Sequence, residues 1–334
     1  MGRKGLKLSV LDQSIVRKGG SATDALKETI ETAKLAERWG YHRFWVSEHH
    51  NSEMIAGSAP EILMVKLADE TSRIRVGSGG VMLPNHSAYK VAENFRLLEA
   101  LFPGRIDLGM GRAPGGDRIS ASLLNPSNTF SEESYLKQLE HLQAFFNDEA
   151  GTQYGRILAS PVTSTSPQQW ILSSSGGSAA IAAKYGLGLV VARFINGHAG
   201  SEVAEIYRSR FEPSASFEAP EVMFAVSVLC AETEEKARQL RKLADYNLLK
   251  FEQGRFEPMG SYEEIAAHQF SESELARIEN NRGRIISGTP AQVKNQLNEL
   301  AELFGAEEAM LTTMTYSHED RLRSFELVAR EMNK

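Results

Sequence analysis

Residues 74–112 read IRVGSGGVMLPNHSAYKVAENFRLLEALFPGRIDLGMGR. Ile74–Val81 has the look of a strand, Ser87–Leu101 of a helix and Ile106–Met110 of a second strand, a β–α–β unit. The pattern continues in both directions. Upstream, the short apolar run Leu6–Leu11 precedes a helix that starts near Thr23. Leu26, Ile30, Ala33 and Ala36 recur there at helical spacing, and Gly40 stops it. Arg43–Ser47 then precedes helix Pro60–Thr71. Downstream, Ile106–Met110 precedes helix Glu132–Phe146, Trp170–Ser173 precedes Ser178–Tyr185, and Gly188–Ala192 precedes Glu202–Phe211. Val222–Leu229 precedes a helix from Thr233 to about Leu249, and Ala309–Thr313 precedes one from about Glu319 to Glu331. Strict alternation predicts a parallel sheet, and eight units predict its closure into a (β/α)8 TIM barrel. Two doubly wound halves would need a linker between them, and no Pro/Gly/Ser stretch divides the chain, so 1–334 reads as a single domain. Two stretches fall outside the count: Tyr154–Gln169, which is loop-like, and Lys250–Ile286, which reads as a helical insertion between units seven and eight.

Composition suits such a fold. The 334 residues are 42% hydrophobic and 24% charged, ordinary globular usage. The net charge of −6 argues against a general nucleic-acid surface, which wants a clustered basic excess. Cys230 is the sole cysteine, so an internal disulfide framework and multi-thiolate metal sites are excluded. The longest uncharged run, Ile157–Ala183, is long enough to span a bilayer but is full of Ser, Thr, Pro and Gln, so no membrane segment is expected. The first residues lead into a strand rather than a signal-peptide apolar region, and a cytoplasmic location is expected.

In a barrel of this kind, chemistry collects where strands end and βα loops begin. The second strand ends in Ser47-Glu48-His49-His50-Asn51. Adjacent histidines on an extended segment point to opposite faces, and no HExxH spacing accompanies them, so no metal site is expected. A single histidine here suits proton transfer, and it equally suits a hydrogen-bonded loop. The third strand carries Gly77-Ser78-Gly79-Gly80-Val81-Met82-Leu83-Pro84, whose glycines mark either a barrel-corner kink or a bare surface for a flat ring. The fourth leads into Gly109-Met110-Gly111-Arg112-Ala113-Pro114-Gly115-Gly116. This is not the dinucleotide fingerprint, because Pro114 stands where GxGxxG needs glycine, but Arg112 is well placed to meet an anion. The fifth unit, Ser173-Ser174-Ser175-Gly176-Gly177-Ser178, joins a strand to a helix with backbone N–H groups and hydroxyls in reach of one anion. Phosphate suits such converging donors, and a merely capped helix is the plainer reading. The seventh and eighth loops are acidic and would repel phosphate.

Together with Gly104-Arg105-Ile106-Asp107-Leu108 and Ser287-Gly288-Thr289-Pro290, these motifs resemble the bacterial luciferase-like, flavin-dependent monooxygenase family over nearly the whole chain. The resemblance is closest to a large branch whose members mostly lack an assigned substrate. It implies a barrel that binds reduced FMN, delivered by a separate NAD(P)H:flavin reductase. The flavin reacts with O2 through a C4a-peroxyflavin, and one oxygen atom enters a small organic substrate. By motif, His49 falls on the active-site histidine. Gly79 and Gly80 fall where the family has a non-prolyl cis peptide against the flavin ring. Arg112, Ser175 and Ser178 fall on phosphate-binding positions, with Ser174 beside them. A homodimer is implied as well. Gly111 stands where the light-emitting luciferase has a reactive cysteine, and Arg193 where it has a tryptophan, which puts an aldehyde pocket in doubt. Arg193 has three possible roles: binding an anionic substrate group, pairing with a nearby glutamate, or contacting the flavin carbonyls. The insertion, with Phe251, Phe256, Met259, Tyr262 and Phe270, is the natural lid over a mouth that must exclude water. Three competing readings remain: a deazaflavin-dependent dehydrogenase on the same barrel, a non-catalytic flavin-binding protein, and a phosphosugar barrel enzyme.

Overall fold

The computed structural model describes residues 5–113 and 116–334. Strand β1 (Lys7–Asp12) leads to helix α1 (Ala22–Trp39). Ser21 caps α1 in a reciprocal capping box with Asp24, and Gly40, in the left-handed region at φ 87°, ends it, as helix termini with four unpaired groups require. There follow β2 (Arg43–Val46), α2 (Pro60–Asp69), β3 (Arg75–Met82), α3 (Ala88–Leu101), β4 (Ile106–Gly111), α4 (Arg118–Leu124) and α5 (Glu132–Phe146). A small hairpin, β5 (Gly151–Thr152) and β6 (Gly155–Arg156), precedes β7 (Gln168–Ser173) and α6 (Gly176–Lys184). The chain continues through β8 (Gly188–Ala192), α7 (Ser201–Ser209), β9 (Val222–Cys230), α8 (Glu234–Glu252), α9 (Tyr262–Ile265) and α10 (Glu272–Asn280). It ends with β10 (Ile285–Gly288), α11 (Pro290–Phe304), β11 (Glu308–Thr312) and α12 (His318–Met332).

The sheet runs β9-β11-β1-β2-β3-β4-β7-β8 and closes through a β8–β9 pairing. All these pairings are parallel, which makes the expected eight-stranded barrel. The expected helical insertion between units seven and eight is present, carrying α9 and α10, but its bounds shift: helix α8 extends to Glu252, and the stretch leads into a ninth strand, β10, paired with Ser227–Cys230. Ser227 pairs with both Thr312 and Ile285, so β10 lies on the β8 side of β9 and continues where β8 stops. A four-residue strand gives too short a pattern to separate from helix by periodicity. Helix α4 and the β5–β6 hairpin are further elements outside the eight expected units.

Period-2 alternation sorts the strand residues into two cores. Val10, Phe44, Val46, Ile171, Leu189, Val191, Phe224 and Leu311 face the helices, while Leu11, Trp45, Trp170, Val190, Met223 and Met310 fill the barrel. A Cβ on Gly77 would come within 2.5 Å of the Trp45 ring, and one on Gly188 within 2.2 Å of the Trp170 ring, so these glycines make room for the two tryptophans. At the N-terminal end, buried Arg43 bonds Asp107 and Glu308 at 2.9 Å each, and Arg75 also reaches Asp107. Burial pushes the Asp107 carboxyl up, but Arg43 and Arg75 hold it below its ordinary value. A buried charge demands such pairing, and it closes that end of the barrel. The insertion crosses the opposite end. The Lys18 N–H donates to the Met259 carbonyl at 2.9 Å, and Met259, Ile265 and Leu243 pack with Met314 and Tyr316. No helix among the described residues is long and apolar enough to cross a membrane.

Candidate active site

The end of β2 carries the first group. The His49 N–H donates to the Gly57 carbonyl at 2.9 Å, and its Nδ1 lies 3.0 Å from the Ser47 hydroxyl. Among the described residues its Nε2 carries no hydrogen bond. Burial lowers the His49 pKa below the ordinary histidine value, against the Glu48 charge, which raises it. At pH 7 the ring is therefore neutral and can accept or pass on a proton.

His50 and His49 make separate contacts, as expected of neighbours on an extended segment. His50 does converge with a group far along the sequence. Its Nε2 lies 2.7 Å from Glu48 Oε1, and His86 Nε2 lies 2.8 Å from the same oxygen. Glu48 Oε2 accepts the Met82 N–H at 2.8 Å. Glu48 is 1% exposed. Burial would raise its pKa, but His86, His50 and the Met82 N–H lower it below the usual carboxylate value. Burial disfavours the His86 cation in turn, yet Glu48 more than offsets this and raises the His86 pKa. The donor atoms of Glu48, His50 and His86 lie within 4.8 Å of one another, a cluster that sequence reading missed because His86 lies in the next unit.

The peptide bond between Gly79 and Gly80 is cis, and the β3–β4 register shifts between Gly79 and Val81. A Cβ on Gly80 would fall 2.7 Å from the Gly109 carbonyl oxygen, and one on Gly79 2.5 Å from Leu11 Cδ1. At Gly80, where the neighbours are backbone atoms, only a bare backbone fits.

The register Met110↔Ile171, extended by two residues, sets Arg112 opposite Ser173. Arg112 Nη1 is paired with Glu132 Oε2 at 2.8 Å, and both side chains are largely exposed. Tyr135, one turn along α5, is buried, feels the Arg112 charge, and has a hydroxyl with no partner among the described residues. Ser175 sits at the N-cap of α6 without making a side-chain cap bond. The hydroxyl of Ser173 bonds the Ser175 backbone, and Asn196 Nδ2 donates to the Ser174 carbonyl at 2.9 Å. Ser178 is buried in the first turn, and a Cβ on Gly177 would meet nothing within 4 Å. A Cβ on Gly176 would lie 3.2 Å from Ile206 Cδ1, so the open side of the α6 start is at Gly177, beside a Ser175 hydroxyl that makes no cap bond, and a helix start of this kind suits an anion. Pro114 and Gly115 lie outside the described residues.

Arg193 follows β8. Its Nε donates to the Gly283 carbonyl at 3.1 Å and its Nη1 to the Ala199 carbonyl, while Arg284 Nε returns a bond to the Phe194 carbonyl at 2.8 Å. This reciprocal pair pins the end of the insertion to the β8 loop. None of the ion pairs among the described residues involves Arg193. Half-burial without a carboxylate lowers its pKa.

Comparison with known proteins agrees with this arrangement. Residues 6–307 match the family described as luciferase-like monooxygenase. The chain is 48% identical to the Bacillus subtilis protein YwcH over 97% of this chain and 98% of that one. It is 38% identical to the N-acetyl-S-alkylcysteine monooxygenase of Bacillus subtilis over 97% of each. The crystal structure of apo-MsnO8 superposes with a TM-score of 0.92 at 36% identity, covering 98% of both chains.

Proposed function

The chain belongs to the luciferase-like monooxygenase family, and on that premise we propose that it binds reduced FMN, supplied by a separate flavin reductase, and uses O2 to oxygenate a small organic substrate. The observation that carries this reading is the start of α6, where Ser175 makes no side-chain cap bond and a Cβ on Gly177 would meet nothing within 4 Å. A phosphate would cap that helix start. The residues therefore fit the cofactor: Arg112, Ser174, Ser175 and Ser178 would hold its phosphate, and the bare Gly79–Gly80 backbone would lie against its ring.

When bound, reduced flavin supplies the electrons that activate O2; the protein positions it and manages protons. His49, neutral and held through Nδ1 by Ser47, would move a proton at Nε2. The insertion, packed across the mouth and pinned at Gly283 and Phe194, would keep water away from the reacting centre. Arg193 has no carboxylate partner among the described residues and still has Nη2 to offer an acidic substrate group. A thioether bearing a carboxylate is the substrate class to test first, since one relative at 38% identity is named for N-acetyl-S-alkylcysteine. We place the enzyme in the cytoplasm, working as a homodimer.

The test is anaerobic titration with reduced FMN, followed by mixing with O2 and an S-alkylated N-acetylcysteine. Saturable binding and sulfoxide formation are expected. Binding of reduced F420 in preference to reduced FMN would instead point to hydride transfer. Flavin binding with no substrate-coupled oxygen uptake would reduce the protein to a flavin carrier.

A further inference from the structure

We propose that Glu48 is a positioning residue that, through His50, His86 and the Met82 N–H, locks the loops after β2 and β3 together beside His49. The proposal rests on the monooxygenase reading for its effect on turnover, but not for its hold on His86.

Glu48 is a carboxylate taken almost wholly out of water, which is tolerated only when its oxygens are satisfied. Its bonds reach three places in the chain: His50 two residues on, Met82 at the end of β3, and His86 beyond it. The Oε2 bond fixes the residue that ends the Gly79–Gly80–Val81 segment. The Oε1 bonds fix two imidazoles, and the surroundings brace both. The His86 N–H donates to the Leu83 carbonyl at 3.0 Å, and its own carbonyl accepts from Gln138 of α5 at 2.8 Å. A Cβ on Gly116, in the loop after β4, would come within 3.2 Å of the His50 Cβ and carbonyl oxygen. One carboxylate thus joins the loops after β2 and β3, and the loop after β4 packs against His50.

The distances argue for hydrogen bonds and against a metal. Both Nε2 atoms approach a single oxygen at 2.7 and 2.8 Å, whereas ligands held about 2.0–2.2 Å from a tetrahedral ion lie about 3.3–3.6 Å from one another. The charged groups facing this hub are His49 and His50 from its own loop, His86 from the loop after β3, and Glu61 from α2, which acts on His86. Of these, Glu48 alone opposes the loss of charge that burial imposes on His49. Glu48 therefore has two separable effects, a tether and a charge.

Two substitutions separate them. Glu48→Gln removes the charge but leaves an amide oxygen for the Met82 N–H; Glu48→Asp keeps the charge but shortens the reach. In folded protein, checked by thermal melting, both should lower kcat at least tenfold while reduced-FMN affinity stays within about threefold. Titration of the His86 ring by NMR, on protein without flavin, should move to lower pH in Glu48→Gln, which loses the anion 2.8 Å from Nε2. Because that readout needs no cofactor, it stands even if reduced FMN does not bind. An unmoved His86 titration in Glu48→Gln overturns the proposal, as does wild-type kcat in both variants. Micromolar Zn2+ binding that disappears in His86→Ala would also overturn it, by making the three residues metal ligands.

Discussion

Arg112 is already occupied by the 2.8 Å salt bridge to Glu132, so any phosphate arriving at α6 must compete with a carboxylate of the protein itself. Replacing Glu132 by Gln frees the guanidinium. With 42% and 67% of the two side chains exposed, the pair falls among surface salt bridges worth about 0.2–1 kcal/mol. Its removal should tighten FMN binding by about 1.4- to 5-fold. Arg112→Ala removes the charge-assisted contact itself, worth about 1.5–3 kcal/mol, and should weaken FMN binding at least tenfold. Riboflavin has the same ring and no phosphate, so its affinity should move in neither variant. Raising ionic strength from 0.01 to 0.15 M shortens the Debye length from about 30 to about 8 Å, and the gain from Glu132→Gln should shrink accordingly. Anaerobic calorimetry with both flavins reads all of these. Looser FMN binding in Glu132→Gln, or equal changes for riboflavin, would refute the competition, and would make Glu132 the group that aims Arg112.

Four further outcomes are expected. His49→Gln should cost about 10²–10⁴-fold in kcat with a nearly unchanged melt. Because burial holds the folded His49 pKa below its unfolded value, its contribution to stability is present above about pH 6.5 and lost as pH falls, so the variant should lose less stability in acid than the parent. Gly80→Ala forces a Cβ to 2.7 Å from the Gly109 carbonyl oxygen and should cost about 1–3 kcal/mol in denaturant unfolding. Gly177→Ala enters open space and should leave stability within about 0.5 kcal/mol while weakening FMN but not riboflavin. Finally, Ile62 on α2 and Leu97 and Leu101 on α3 are 73%, 52% and 54% exposed, an apolar face of the kind that marks an interface. Sedimentation should show a dimer that Ile62→Glu with Leu97→Glu converts to monomer, and an unchanged mass would rule out that face.

What could be read from the sequence depended on how far each signal reached along the chain. Barrel strands were legible because each carries a short, largely buried run between turn signals; Gly188–Ala192 matches its observed bounds. Helix α1 could be read from Gly40 and its apolar spacing. The α6 start was legible because Ser173 to Ser178 is one local run. By contrast, β10 was hidden, since four residues after a 3₁₀ turn offer no period, and its pairing with β9 is visible only in space. Gly77 was read as either a kink or a bare surface for a ring; in the fold it accommodates Trp45, a partner two elements away.

Glu48 shows most directly why the site outruns the sequence. In the motif Glu48-His49-His50 only the histidines look chemical, and alternation does no more than set the two on opposite faces. The pairing Val46↔Ser78 changes that reading, because it brings the residues after β2 beside those that end β3. Glu48 then reaches Met82 and His86, residues 34 and 38 positions away, and a carboxylate without a role in the motif becomes the group to which both loops attach. A motif names the residues that touch a ligand. It cannot name the residue that holds them, because that residue is defined by neighbours contributed by another strand.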